Sequence, residues 1–131
     1  MIAALLLTII GLLGGILWAL WPSAYVIDYD RGGRIGARAA LIRAEVEPAE
    51  IQGRCMSACT MHLATGCVHS GARLIFHLPT PDTQHWREVL AGHYPPAIAA
   101  WFLSLPLGMV PMEMTGAEVI RLGARECPLS P

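Results

Sequence analysis

An uncharged apolar segment at the N-terminus constrains this chain more than any other feature. From Ile2 to Trp21 no side chain is charged, and Leu, Ile, Ala and Gly dominate. A helix of this length, at about 1.5 Å of rise per residue, matches a hydrocarbon core roughly 30 Å thick. Two tryptophans at its end fall where an interfacial aromatic belt lies, and Pro22 breaks the helix. We therefore expect a transmembrane anchor or signal segment over residues 1–22 that contacts membrane lipid, and one domain over residues 25–131.

Two fates and two orientations of this segment stay open at this point. The small residues Pro22-Ser23-Ala24 suit cleavage, but the basic region of a secretory signal is missing, which favours an uncleaved anchor. Four arginines between residues 31 and 43 favour a cytoplasmic domain, whereas four cysteines favour an oxidising compartment. Charges within a folding domain are weaker topology signals than charges in a short loop. We therefore expect an inner-membrane protein whose domain faces the periplasm.

Charge and length exclude several classes of protein. The chain has 131 residues, which suit one domain, and a formal net charge of -1 without a block of either sign. A basic nucleic-acid-binding surface is therefore not expected. The sequence also has no glycine-rich phosphate loop of the P-loop kind. We expect no nucleic-acid partner, no cofactor and no metal.

Strand and helix patterns alternate along the rest of the chain. The patterns predict strands over residues 25–29, 49–53 and 72–77, and helices over 35–47, 57–65, 83–92, 97–105 and 112–122. Thr115 is a candidate cap within the last helix, and Gly123 is its expected stop. Alternating strands and helices imply right-handed crossovers and a mostly parallel sheet. The expected fold class is α/β.

A serine and a histidine stand where a nucleophilic hydrolase needs them. Ser57 opens a predicted helix, and His77 closes a predicted strand. A histidine that takes the serine proton creates a nucleophile, and the resulting oxyanion needs backbone N–H donors. Ala58 and the Gly32-Gly33 turn are expected to supply them at the carboxyl edge of the sheet. Taken singly, Ser57 also fits an ordinary helix cap, and His77 a satisfied core histidine.

Three segments occur in this order: Gly32-Gly-Arg-Ile-Gly-Ala-Arg-Ala-Ala-Leu-Ile-Arg43, Cys55-Met-Ser-Ala-Cys-Thr60 and Leu74-Ile-Phe-His-Leu-Pro79. Together they resemble the Clp-type serine protease family of the crotonase superfold, and in particular its predicted periplasmic members. The resemblance implies a shortened Clp/crotonase-like domain and acyl transfer from a peptide substrate. It implies that Ser57 attacks, that His77 is the general base, and that Gly33 and Ala58 donate to the oxyanion. It also implies self-association into a homo-oligomer.

The chain departs from this family in two ways. The strand and helix that precede the Gly-Gly segment in the family are absent or replaced by the apolar segment. The acid of the family would fall near Pro111, where this chain has no carboxylate, so Glu113 and Asp82 are the candidate substitutes. Loss of the acid can lower turnover of a serine protease by about 10⁴. A non-catalytic, membrane-tethered binding or assembly module that retains the fold is therefore the rival hypothesis.

The four cysteines admit two interpretations. Cys55, Cys59 and Cys67 lie near two histidines in sequence, but Cys-x3-Cys is outside the commonest zinc spacing. Disulfides are favoured if the domain is exported. Cys55 with Cys59 and Cys67 with Cys127 are the pairs we consider, although four cysteines allow three pairings that the sequence does not distinguish.

Overall fold

The computed structural model describes residues 25–44, 48–106 and 111–129. The anchor expected over residues 1–22 lies outside these ranges. Within them, no helix combines the length and the apolar character that a membrane crossing requires.

The described residues form a sheet and several short helices. The strands are β1 (Tyr25–Asp30), β2 (Ala49–Met56), β3 (Cys67–Val68), β4 (Arg73–Phe76) and β5 (Met112–Thr115). The α-helices are α1 (Ile35–Ala44), α2 (Gln84–Ala91), α3 (Pro96–Leu103) and α4 (Gly116–Arg121), and a 3-10 helix covers Ser57–Ala64. The alternation of strand and helix confirms the expected α/β class.

Strand β2 is central to the sheet. Strand β1 pairs with β2 in parallel along one side, while β3 and β4 pair in parallel with successive parts of the other side. Strand β5 adds to β4 in the antiparallel sense. The sheet of five strands is therefore mixed but mostly parallel, as expected.

The register brings the carboxyl ends of three strands to one edge. Asp30 at the end of β1 lies opposite Cys55, and Met56 at the end of β2 lies opposite Ile75 near the end of β4. The segments that follow these strands therefore start side by side, which is where open α/β sheets bind their ligands. These segments contain the Gly-Gly turn, Ser57 and His77.

Aromatic rings from the second half of the chain cover the sheet. The Phe76 ring makes edge-to-face contacts with Tyr94 and Trp101, each with 5.3 Å between ring centroids. Tyr94 in turn packs edge to face on Phe102 at 5.4 Å. Such pairs add about 0.5–1.5 kcal/mol each beyond the burial of apolar area. This cluster packs α3 and Tyr94, which lies between α2 and α3, against β4.

Two predicted helices differ from the structure. The helix expected over residues 112–122 is wrong in its first part: Met112–Thr115 is strand β5, because these residues pair with β4 through the whole of that strand. The helix starts only at Gly116, where Thr115 and Glu118 form a reciprocal capping box. The expected cap at Thr115 is confirmed. The helix expected over residues 57–65 is instead a 3-10 helix, and it ends at Ala64.

The structure resolves which cysteines pair. Cys55 is bonded to Cys59 and Cys67 to Cys127, with Cα atoms 5.3 Å and 4.7 Å apart. The second disulfide ties the end of the described chain to β3. Backbone bonds support it, because Val68 donates to the Arg125 carbonyl at 2.8 Å and accepts from Cys127 at 3.0 Å.

The two disulfides should differ in their contribution to stability. The Cys67–Cys127 bond spans 60 positions and the Cys55–Cys59 bond spans 4. In the chain-entropy model, the long loop contributes about 4 kcal/mol and the short loop about 2 kcal/mol. We expect Cys67→Ala/Cys127→Ala to lower the free energy of unfolding in urea by the larger amount. An equal or smaller loss than in Cys55→Ala/Cys59→Ala would contradict this ranking.

Candidate active site

One cleft joins the three segments at the carboxyl edge of the sheet. It has a volume of about 570 Å³ and is lined by residues 33–37, Ser57, residues 77–81 and Trp86. Gly33 comes from the β1–α1 turn, Ser57 from the end of β2 and His77 from the end of β4. The structure therefore places the predicted nucleophile, the predicted base and one predicted oxyanion donor around the same space.

Ser57 has an unusual backbone conformation. Its φ is +52°, in the left-handed region that residues other than glycine rarely adopt. Such a conformation costs on the order of 1–3 kcal/mol and persists only where the surroundings enforce it. Here the Cys55–Cys59 disulfide brackets the residue, and the Thr60 hydroxyl donates to the Ser57 carbonyl at 2.6 Å. Sharp turns of this kind present the serine hydroxyl in α/β-hydrolases.

A buried tyrosine completes the support of this turn. The hydroxyl oxygens of Thr60 and Tyr94 lie 2.6 Å apart. Because Thr60 uses its proton on the Ser57 carbonyl, Tyr94 must donate to Thr60. Burial raises the pKa of Tyr94 and outweighs the opposing effect of its Thr60 hydrogen bond, so the phenol keeps its proton. The chain Tyr94 to Thr60 to Ser57 connects the aromatic core to the candidate nucleophile.

Gly32 makes the closest approach in the site. A Cβ atom at this position would lie 2.8 Å from the Ser57 Cβ, 2.7 Å from the Met56 carbonyl oxygen and 3.1 Å from the Ala58 nitrogen. Its φ of +95° also favours glycine. The Gly-Gly turn can therefore lie directly against the Ser57 turn only because position 32 has no side chain. Ala58, the second predicted donor, is fully buried at this contact.

An ion pair holds Gly32 at both of its backbone polar groups. The Gly32 N–H donates to Asp30 Oδ1 at 2.8 Å, and its carbonyl accepts from Arg38 Nη2 at 3.1 Å. Arg38 also donates to both Asp30 oxygens, at 2.5 Å and 3.1 Å. Burial alone would raise the pKa of Asp30, but the hydrogen bonds from Arg38 and Gly32 and the charge of Arg38 outweigh it. The pKa of Asp30 therefore lies below its ordinary value.

His62 lies beneath this ion pair. It is fully buried, and its Nε2 lies 3.1 Å from Arg38 Nη1. Since a guanidinium only donates, Nε2 accepts, and the ring is neutral. Burial and the positive charge of Arg38 lower the pKa of His62 to about 4. His62 is thus a structural histidine under the turn, while the candidate base is at the cleft.

His77 faces the cleft with a defined tautomer. Its side chain is exposed, and its Nδ1 lies 2.6 Å from the Leu78 carbonyl oxygen. A carbonyl oxygen only accepts, so Nδ1 carries the proton and the neutral ring has its lone pair on Nε2. Within the described residues no hydrogen bond joins His77 to Ser57. Such bonds are often long in enzymes without substrate.

Each of the two candidate acids forms an ion pair with an arginine. Asp82 accepts from Arg87 at 2.6 Å and 2.7 Å, and these bonds hold the pKa of Asp82 below its ordinary value. Glu113 lies 3.5 Å from Arg73 across the β4–β5 pair. Among the described residues, neither carboxylate hydrogen-bonds His77. The Leu78 carbonyl instead orients the imidazole.

Sequence reasoning overlooked several supporting groups. The role of Asp30 could have been predicted from sequence, since an aspartate two positions before a glycine often accepts the glycine N–H in a turn. The role of Arg38 was harder to predict, because its only indication was its place in the Gly-Gly segment. Nothing in the sequence indicated the roles of Tyr94 and the Leu78 carbonyl.

A comparison with protein-family models and with curated proteins found no match for this chain.

The stability of the domain should depend on pH through His62. Its pKa falls from 6.5 in the unfolded chain to about 4 in the folded protein. The unfolded state therefore binds more protons between these values, and stability falls as the pH is lowered from 6.5 to 4. The full loss is on the order of 3 kcal/mol.

Urea unfolding between pH 7 and pH 4.5 measures this effect. We expect His62→Gln to flatten this part of the profile. His85→Gln removes an exposed imidazole and is the matched control, which should keep the wild-type slope. A wild-type profile that is level over this range would contradict the buried, neutral state of His62.

Proposed function

We propose that this chain is a membrane-anchored serine hydrolase of the Clp and crotonase type that cleaves peptides. The observation that carries the proposal is the single cleft that Gly33, Ser57 and His77 share. The left-handed φ of Ser57 and the tautomer of His77 support it, because each suits a catalytic role better than a structural one. The mixed, mostly parallel sheet agrees with a shortened form of that fold.

The proposed reaction begins with attack on a peptide carbonyl. The Ser57 Oγ bonds to the carbonyl carbon while His77 Nε2 takes the hydroxyl proton. The N–H group of Gly33 stabilises the oxyanion from the cleft, and the resemblance assigns the role of second donor to Ala58, which does not line the cleft. His77 then gives the proton to the departing amine as the C–N bond breaks. His77 then takes a proton from a water molecule, whose oxygen bonds to the ester carbonyl carbon. As the bond from this carbon to Ser57 Oγ breaks and the acid product leaves, His77 gives the proton to Ser57 Oγ.

The Leu78 carbonyl takes the orienting role that an aspartate has in a serine protease triad. It holds the Nδ1 proton of His77 and so leaves Nε2 ready to act as base. A neutral carbonyl stabilises the imidazolium less than a carboxylate does. We therefore propose a hydrolase that is slower than one with a complete triad.

The walls of the cleft suit an extended peptide with an apolar side chain. Ile35, Leu78, Pro79, Pro81 and Trp86 contribute apolar surface to it. A volume of about 570 Å³ lies in the usual range for ligand sites. Clefts of this kind bind apolar groups and use a few polar groups for orientation.

We also propose the location and assembly of the protein. Two disulfides among the described residues suit an oxidising compartment, so we place the domain on the periplasmic side of the inner membrane. The apolar N-terminal segment is the anchor. Self-association into a homo-oligomer follows only from the resemblance to the Clp type.

A fluorophosphonate probe tests the nucleophile in the full chain. We expect one phosphonyl group per wild-type chain, located at Ser57 by peptide mass spectrometry, and none in Ser57→Ala. His77→Ala should slow labelling by about 10² to 10⁴, the usual contribution of a general base. Ser70→Ala removes an exposed serine and should be labelled like the wild type. Folded wild-type protein that takes up no probe would exclude the hydrolase.

The contact at Gly32 gives a second test of the same site. In Gly32→Ala the new methyl group would collide with the Ser57 turn. We expect the rate of fluorophosphonate labelling to fall by about 10² to 10³, as on loss of an oxyanion donor. Gly71→Ala is the control, because a Cβ there meets no atom within 4 Å. Equal labelling rates in the two variants would contradict the role of the Gly-Gly turn.

A second candidate function follows from the ion pairs that the two candidate acids form with arginines. Because Asp82 and Glu113 pair with arginines, the cleft could bind a peptide without cleaving it. The protein would then be a non-catalytic, membrane-tethered binding or assembly module. The probe separates the two: peptide binding in the cleft by a folded chain that no fluorophosphonate labels supports the module.

A further inference from the structure

A second cluster of reactive side chains lies away from the cleft. Ligand atoms of Glu50, His69 and Cys127 all lie within 4.8 Å of one another. His69 Nε2 is 2.5 Å from Glu50 Oε1. Cys127 is bonded to Cys67, so the sulfur of Cys67 lies next to this cluster. One sulfur, one imidazole nitrogen and one carboxylate oxygen are therefore gathered at one place, and a second sulfur is bonded to the first.

The backbone fixes these four residues relative to one another. Glu50 on β2 lies directly opposite Cys67 on β3. His69 follows two positions after Cys67 and donates its N–H to the Ile51 carbonyl at 2.9 Å, which continues the pairing with β2. The Cys127 N–H donates to the Val68 carbonyl at 3.0 Å. The side chains would therefore remain close together without the bond between the sulfurs.

We propose that Cys67, Cys127, His69 and Glu50 bind one zinc ion when the Cys67–Cys127 disulfide is reduced. Two thiolates, an imidazole and a carboxylate are a set that Zn²⁺ binds in tetrahedral geometry, with bonds of about 2.0–2.3 Å. Once the S–S bond is broken, the two sulfurs must move apart to make room for the ion. The proposal requires the Cys67 and Cys127 side chains to rotate about their Cα–Cβ bonds.

The chemistry balances with a thiol or phosphine as reductant. Two electrons break the S–S bond, two protons give the thiols, and a thiol reductant becomes a disulfide. Zinc binding then releases the two thiol protons, because the thiolate is the ligand. The disulfide and the zinc site are thus alternative cross-links between β3 and the end of the described chain. One suits an oxidising environment and the other a reducing one.

Burial makes the reaction selective for this disulfide. Cys55 and Cys59 are both 0% exposed, whereas Cys67 is partly exposed and Cys127 is 4% exposed. The side chains of His69 and Glu50 are 29% and 26% exposed, which leaves a path for the reductant and the ion. We therefore expect a reductant in water to cleave the second disulfide before the first.

Cobalt binding to the reduced full chain tests the proposal. The protein is treated with a phosphine without denaturant, the phosphine is removed without oxygen, and thiols are counted before Co²⁺ is added. We expect two reactive thiols, one Co²⁺ per chain with the visible absorption of a tetrahedral thiolate site, and displacement of Co²⁺ by Zn²⁺. The oxidised protein should give no such absorption.

Variants locate the metal site. His69→Ala should weaken Co²⁺ binding by about 100-fold or more, since loss of even an outer-shell partner costs roughly 10- to 100-fold. His85→Ala, at an exposed histidine, is the control and should bind like the wild type. The variant Cys55→Ala/Cys59→Ala retains only Cys67 and Cys127 and should give the same spectrum.

Each other outcome overturns the proposal. The proposal is wrong if the reduced protein has two reactive thiols but gives no absorption spectrum of tetrahedral Co²⁺. It is also wrong if His69→Ala binds Co²⁺ as tightly as the wild type. If reduction unfolds the domain, Zn²⁺ should restore its near-ultraviolet circular dichroism and Mg²⁺ should not. Failure of Zn²⁺ to restore the signal overturns the proposal equally.

Discussion

The contact between Gly32 and the Ser57 turn is the constraint on which the candidate site depends. Two loops that follow neighbouring parallel strands meet there at a distance that no side chain would allow. Both loops have positive φ values, at Gly32 and at Ser57 itself. A single alanine in place of this glycine would separate the turn that holds one expected oxyanion donor from the nucleophile.

The ion pair under the turn explains why this close contact has one geometry. Asp30 accepts the Gly32 N–H and Arg38 donates to the Gly32 carbonyl, so the peptide groups on both sides are fixed. The side chains of Asp30 and Arg38 are only 14% exposed, and a largely buried ion pair adds little net stability. The ion pair instead fixes the orientation of the peptide groups on both sides of Gly32. The neutral His62 ring fits this view, because it accepts from Arg38 without competing for Asp30.

Some parts of the site could be predicted from sequence for a simple physical reason. Gly33 and Ser57 each come after a segment that the residue pattern predicts as a strand and His77 closes one, although the segment before Ser57 was predicted too short, and parallel strands bring their carboxyl ends to one edge. The supporting groups had no such pattern. Tyr94 and Thr60 are 34 positions apart, and only the packed core brings their hydroxyls together. Strand β5 was read as helix because its identity depends on pairing with β4, which short-range pattern does not indicate.

The second half of the chain therefore does more than cover the sheet, which is the role that its apolar composition suggests. It also supports the Ser57 turn. Tyr94 packs edge to face on Phe76 and Phe102, and the same side chain donates to Thr60 behind the Ser57 turn. Any shift of the aromatic cluster would move this hydroxyl and weaken its short bond to Thr60. Since Thr60 holds the Ser57 carbonyl, the left-handed turn would lose a restraint that opposes its relaxation. Core packing and the geometry of the candidate nucleophile are thus coupled through two hydrogen bonds, from Tyr94 to Thr60 and from Thr60 to the Ser57 carbonyl.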